Sequence, residues 1–277
     1  MAAILYLEKF ESMDGLTVYT FPLDDMEYEA SQGYRVTSAN VVGADYSYDF
    51  ARNAPWVKDN GSESLRFTIW GTSETAAVTA WDDMTGKLRK IGRGRLYALL
   101  PDGSRRWSYA KLAGRPSYVE QPLSFYNIPV TLRFDRQSDW FSATATTGSQ
   151  TITATPATWT ITNSGNAPVY AVTFRLRANN STGFTNPSLS NLTNGYSVAS
   201  TRDAASANSE IKIDAGGQRI LWSTDDGANY SDDYSSATLG ATQVGIMRLD
   251  PGANSFRYAD GGTPNLSLSW SFYPAWE

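Results

Sequence analysis

The chain has 277 residues and a mild net charge of −5, which suits two domains of ordinary size or one large β domain. It contains no Cys and no His. That excludes disulfides, thiolate metal sites and a cysteine nucleophile, and removes the commonest general base and zinc ligand.

The opening MAAILYLEK does not read as a secretory signal, because its apolar run stops at Glu8 and no basic region precedes it. No stretch reaches the ~18 uncharged apolar residues of a membrane span, so no membrane insertion is expected. Residues 65–70 alternate apolar and polar, which predicts a half-buried strand ended by Gly71. Residues 73–91 predict a helix. Ser73 is placed to cap it, and Ala77, Trp81, Met84, Leu88 and Ile91 form one apolar stripe. Lys87, Arg89 and Lys90 suit its C-terminal dipole, Gly92 suits its end, and Gly86 is a candidate kink.

A hairpin follows, from 95–100 through the turn Pro101-Asp102-Gly103 and back along 106–112. A further strand or strand pair lies within 123–134. Residues 142–156 are small and polar with no core-forming run, so they read as a linker between domains 1–141 and 157–277. The second half carries no helical stripe. Short strands are expected at 157–162, 169–177, 189–193, 196–199, 210–214, 219–222, 245–249, 255–258 and 266–273. Asn194-Gly195 marks a hairpin. The fold class is therefore mainly β, with a jelly-roll-type β-sandwich in the second half.

Charge is unevenly laid out. Glu8, Glu11, Asp14, Asp24, Asp25, Glu27, Glu29, Asp45 and Asp49 make the first part acidic. Lys87, Arg89, Lys90, Arg93, Arg95, Arg105, Arg106, Lys111 and Arg115 make 87–115 basic. No nucleic-acid motif accompanies the basic stretch. The preferred reading is that it neutralises the acidic segment, within the fold or across a subunit contact. Without His or Cys, catalysis would need paired carboxylates across a cleft or a Ser–Lys pair. The densest acidic segment, 225–233, is a single loop and misses the EF-hand calcium spacing. Trp222, Tyr230 and Tyr234, with Tyr196 and Phe184, are candidates for a sugar-stacking platform, against the plainer reading that they fill the core or an interface.

Two stretches carry a family resemblance. One is 81–107, WDDMTGKLRKIGRGRLYALLPDGSRRW, continuing to PVTLRF at 129–134 and DWF at 139–141. The other runs from NSGNAPVY at 163–170 through EIKID at 210–214 and LDPGAN at 249–254 to WSFYPAW at 270–276. Their succession over residues 65–277 resembles the distal tail proteins of long, non-contractile-tailed bacteriophages.

The resemblance implies an N-terminal split β-barrel or sandwich flanked by a helix, similar to tail-tube subunits, and a galectin-like C-terminal sandwich. It implies a homo-oligomeric ring of six around a channel that DNA crosses without being specifically bound. The expected neighbours are the tail-tube protein on one side and the tip or hub proteins on the other, with the protein made in the host cytoplasm and located in the virion tail tip. No catalytic residue, metal or cofactor is implied. Within that frame Arg93, Arg95, Arg105 and Arg106 are the candidate subunit-interface residues. Trp222, Tyr230 and Tyr234 are the candidate contacts to a host-surface glycan or a partner.

Overall fold

The computed structural model describes residues 6–22, 26–31, 34–35, 38–40, 47–49, 57–58, 61–118, 126–241, 243 and 245–277. Asp24, Asp25, Asp45 and residues 123–125 of the expected third strand lie outside this set. The chain divides into two compact units, Met1–Trp140 and Phe141–Glu277.

The first unit opens with β1 (Tyr6–Ser12), β2 (Val18–Thr20) and β3 (Glu27–Ser31). Two short ladders follow, pairing β4 (Tyr34–Arg35) with β7 (Val57–Lys58) and β5 (Ser38–Asn40) with β6 (Ser47–Asp49). Then come β8 (Ser62–Trp70), α1 (Glu74–Ile91), β9 (Arg93–Leu99), β10 (Arg105–Leu112), β11 (Ser117–Tyr118) and β12 (Asn127–Arg136). The principal sheet is antiparallel, in the order β2-β1-β9-β10-β12-β8-β3. β8 alternates as its sequence demands: Leu65, Phe67 and Ile69 are buried while Arg66 and Trp70 are exposed. Phe10, Phe21, Phe67 and Phe134 meet in the core, with ring centroids 5.0 to 6.3 Å apart.

α1 forms where its apolar spacing puts it. Ser73 accepts a hydrogen bond from the backbone N–H of Ala76 at 3.2 Å, a conventional N-cap. Ala77, Met84, Leu88 and Ile91 are buried and Trp81 is half-buried. The helix runs unbroken through Gly86 and ends at Gly92 with φ 59°. One buried ion pair lies beneath the strands. Arg136 Nε of β12 sits 2.7 Å from Glu63 Oε1 of β8, a close ionic contact rather than an aligned hydrogen bond at that nitrogen. The Arg136 guanidinium also lies over the Trp140 ring at 5.3 Å.

After β13 (Trp140–Ser142), the second unit is a two-sheet sandwich. Its strands in order are β14 (Thr146–Ile152), β15 (Ala157–Asn163), β16 (Thr173–Ala178), β17 (Ser188–Asn191), β18 (Tyr196–Ser200), β19 (Glu210–Asp214) and β20 (Arg219–Ser223). They continue with β21 (Ser231–Asp232), β22 (Ala237–Leu239), β23 (Gly252–Ala259), β24 (Leu266–Phe272) and β25 (Ala275–Trp276). One sheet runs β14-β24-β16-β19-β20-β21 and the other β15-β23-β17-β18-β22. Between them pack Phe174, Leu176, Ile211, Ile213, Leu268 and Phe272 from the first sheet. Ile161, Leu189, Val198, Phe256 and Tyr258 come from the second. Trp159 stacks on Phe256 at 5.9 Å and on Trp270 at 6.4 Å, tying one sheet to the other.

Two expectations need correction. The segment 142–156 is not a linker: β14 pairs with β24 along its whole length, from Thr146 opposite Phe272 to Ile152 opposite Leu266. It is an edge strand that buries only Ile152, so it lacks the apolar run that announces a strand. Residues 245–249 form no strand; Leu249 makes one isolated bridge to Val169.

Three buried asparagines fix the turns. Asn191 donates to the carbonyl of Arg248 (2.9 Å) and to Asn254 Oδ1 (3.0 Å). Asn254 donates to the carbonyl of Asp250 (2.7 Å), and Asn163 donates to that of Ala167 (2.9 Å). Each thereby supplies a side-chain amide donor to a backbone carbonyl of a turn or loop.

Gly148 tests the strand assignment of 146–152. A Cβ there would collide with the Trp270 ring. Gly148→Val is therefore expected to cost about 1–3 kcal/mol by overpacking, read from chemical denaturation of the full chain. A linker position would tolerate the change within ~0.5 kcal/mol.

Candidate interaction surfaces

The expected basic hairpin forms, and its register decides what each arginine does. Across β9 and β10, Arg93 lies opposite Lys111, Arg95 opposite Tyr109, Tyr97 opposite Trp107 and Leu99 opposite Arg105. Period-two alternation sets these side chains on one face, while Leu96, Ala98 and Ala110 face the core. β1 extends the same face, with Lys9 opposite Tyr97 and Glu11 opposite Arg95.

Cations lie on rings across this surface. Lys9 Nζ is 4.3 Å from the Tyr97 centroid, the Arg93 guanidinium 5.1 Å from Tyr109, and that of Arg95 5.3 Å from Trp107. Trp107 and Tyr109 meet edge to face at 5.0 Å. Each cation–π contact contributes about 0.5–1 kcal/mol at an exposed site and restrains the long side chain.

The four candidate arginines therefore separate. Arg93 and Arg95 share the face. Arg105 lies at its far end and spends its charge inside the chain, with Nε 2.7 Å from Glu8 Oε2. Arg106 falls on the opposite face beside Ala98, where burial draws its pKa down. Proximity in sequence missed Lys9, Lys111 and the three rings. The i, i+2 alternation across the hairpin was the signal that would have found them.

In the second unit Trp222, Tyr230 and Tyr234 do not build a stacking platform. Trp222 is half-buried against the sandwich core. It meets Phe184 edge to face at 6.0 Å, under the Arg202 guanidinium at 5.6 Å. Tyr230 is pinned: its hydroxyl donates to Glu210 Oε1. Arg175 donates to both Glu210 oxygens, at 2.7 and 2.9 Å. Lys212 lies over the Tyr230 ring at 5.5 Å. Burial first, then the Glu210 carboxylate, pushes the Tyr230 phenol up to about 12. Tyr234, at the start of a short 3-10 turn (Tyr234–Ser236), is 44% exposed.

The acidic loop 225–233 is committed to its own chain. Asp225 accepts from the Ser223 hydroxyl (2.6 Å) and from the Asn229 side chain (2.6 Å), and these bonds hold its pKa down to about 2. Asp226 pairs with Arg177 at 2.8 Å, and the buried Asp233 with Arg202 at 2.6 Å. Among the described residues no three acidic side chains converge as metal ligands would. No described helix is long and apolar enough to cross a membrane.

No family model and no curated protein sequence matches the chain. Solved structures do. The Dit protein of phage SPP1, described as a paradigm of the hub adsorption apparatus in phages infecting Gram-positive hosts, superposes with a TM-score of 0.58. The identity is 14%, over 91% of this chain and 93% of that one. A chain of the phage p2 baseplate in its activated conformation superposes with a TM-score of 0.50 at 9% identity, over 96% and 97%. The chain has the Dit fold. The likeness runs through both units, so the mainly β architecture expected from the resemblance holds from the helix-flanked first sheet to the closing sandwich.

Within this Dit-like sandwich the Arg175–Glu210–Tyr230 cluster is a structural clasp. Its contribution through Tyr230 is complete below pH 10, the ordinary phenol value, and is lost as pH rises through 12. Glu210→Ala is expected to bring the Tyr230 titration back toward 10. Ultraviolet absorbance titration of the variant against the parent, with Tyr230→Phe as the blank, reads the shift.

Proposed function

We propose that this chain is a structural protein of a phage tail tip. Six copies close a ring at the distal end of the tail, joining the tail tube to the tip or hub proteins and holding the receptor-binding components. The observation that carries this reading is a two-unit Dit fold matched over more than nine tenths of both chains, rather than over one common sandwich. The protein is made in the host cytoplasm and resides in the virion, and DNA crosses the ring without being read.

Physical features on the first unit agree with assembly. A face where cations are already restrained on aromatic rings loses little side-chain entropy on docking, which is what an interface gains from preorganisation. A closed ring needs heterologous contacts, two different patches on each subunit. Arg93 and Arg95 belong to one such patch in this reading. Arg105 and Arg106, engaged within the chain, contribute less than their place in the sequence implies.

The purified protein is expected to give six-fold rings in negative-stain images. With a 30.4 kDa chain, light scattering should read about 180 kDa for one closed ring of six. A monomer that stays monomeric when mixed with tail-tube and hub proteins would count against the ring.

A second reading, glycan contact through the sandwich, keeps Tyr234 as its exposed ring. On a glycan array the full chain is expected to show no binding that Tyr234→Ala removes. A specific signal lost in that variant would restore the carbohydrate reading.

A further inference from the structure

The two sides of the β-sandwich are built differently. On one side its sheets end in β21, two residues long, and β22, three residues long. On the other they end in β14 and β15, seven residues each, roughly 23 Å at the usual rise of a strand. Residues 153–156 alone separate these two strands, so both long edges lie together. A sheet edge is ordinarily blunted by a bulge, a proline, a lysine or a short length. β14 and β15 have none of these: their registers run unbroken, and no charged residue occurs from 140 to 174.

The ladders fix which groups these edges present. In an antiparallel sheet the N–H and C=O of one residue point to the same neighbour, and the direction alternates along the strand. Asn179 donates to the Asn265 carbonyl at 2.9 Å, next to the pair Ala178–Leu266, so Asn265 is turned toward the β16 side. Leu266, Leu268, Trp270 and Phe272 are then turned toward β14, where they meet Ile152, Gln150, Gly148 and Thr146. Thr147, Ser149 and Thr151 are left pointing outward. The Gln150 side chain, folded back to donate to the Thr151 carbonyl at 3.2 Å, agrees with that direction. In the other sheet Leu192 donates to the Ser255 carbonyl at 2.7 Å, which turns Phe256 toward β15 and leaves Thr158, Thr160 and Thr162 outward. Every outward residue is thus Thr or Ser, and every one is exposed. Among the described residues no other segment bonds their backbone groups.

We propose that this side of the sandwich is a strand-addition site, taken by an extended, uncharged segment of a second protein of the tail. In such an addition main-chain hydrogen bonds supply the affinity, and side chains at alternate positions supply the selectivity. The outward threonines suit small hydroxyl or β-branched residues beside them. The lack of any charge from 140 to 174 gives a charged segment no partner. A second copy of the chain offers the same edge, but like edges pair about a twofold axis, and that contact joins one ring to another instead of closing one. The choice of occupant therefore rests on the ring reading, and the site names a surface through which the ring holds another tail component.

The test reads backbone amide exchange in the purified full chain, in the ring it forms alone, and in virions that carry it. The amides of Thr147, Ser149, Thr151, Thr158, Thr160 and Thr162 are expected to exchange freely in the first two and about tenfold or more slower in the virion. Those of Gly148, Gln150, Trp159 and Ile161, bonded within the sandwich, are expected to be slow in all three. Two double variants probe the site. Ser149→Pro with Thr160→Pro removes outward N–H groups without breaking a ladder bond. Ser149→Lys with Thr160→Lys leaves the backbone intact and adds charge at both edges, and it decides the matter if proline unfolds the strands. The variants are expected to keep the parent's circular dichroism and ring, and to give tails that lack one component by mass spectrometry. Outward amides that stay fast in the virion, or lysine-variant tails that keep every component, overturn the inference. Outward amides already slow in the ring alone place a neighbouring copy on the edge, and the inference falls while the ring stands. A chain absent from virions overturns the tail-tip reading and this site with it.

Discussion

Side-chain alternation along antiparallel strands is the constraint on which everything else in this protein depends. In β8, β12, β16 and β24 alternate residues supply the core, and the residues between them supply whatever faces outward. A slip of one residue would exchange the two sets. In the first unit it would bury Arg93, Arg95 and Lys111 and expel Leu96, Ala98 and Ala110. The cationic face exists because β9 and β10 carry their charges and rings in phase across the hairpin, and Lys9 and Glu11 of β1 continue that phase.

The register is reinforced by ion pairs in which the acid is buried. Glu63, Glu210 and Asp233 are each 1% exposed, and each is met by an arginine from another segment: Arg136, Arg175 and Arg202. Arg175 and Arg202 stay nearly half exposed, so their stems cover apolar surface while the guanidinium reaches inward. A pair of this kind adds little net stability over an apolar substitute, yet removing one partner strands a buried charge. Such a pair punishes misregister more than it rewards correct folding.

Much of this was legible in the sequence, and the reasons for what was not are local. α1 was readable because cap, stripe, terminal cations and final glycine agreed from Ser73 to Gly92. The hairpin was readable from Pro101-Asp102-Gly103. β14 was not, because an edge strand that buries only Ile152 and yields space to Trp270 at Gly148 has no apolar pattern to show. The turn-fixing role of Asn163, Asn191 and Asn254 was hidden because a buried asparagine and a loop asparagine look alike until their carbonyl partners are known. For the candidate interface residues the sequence located the hairpin but not which face of it each member takes. Adjacent residues such as Arg105 and Arg106 face opposite ways, whereas Arg93 and Lys111, far apart in the chain, are neighbours. Tyr230 and Trp222 were visible as aromatics, but their engagement depends on Glu210, Arg175 and Phe184, which only the fold brings to them.

The same bookkeeping of charge bears on catalysis by paired carboxylates, the route that a chain without His or Cys leaves open. A general acid needs a carboxyl held above its ordinary pKa, usually by burial away from cations or by a second carboxylate. The aspartates whose titration is displaced here, Asp14, Asp102 and Asp225, are all drawn below the ordinary range by hydrogen bonds from hydroxyls, amides and backbone N–H groups. The buried acids Glu63, Glu210 and Asp233 are each paired with an arginine. Each of these carboxylates is engaged by partners of its own chain. These contacts tie strands and loops to one another, so the charges fix local geometry in both units.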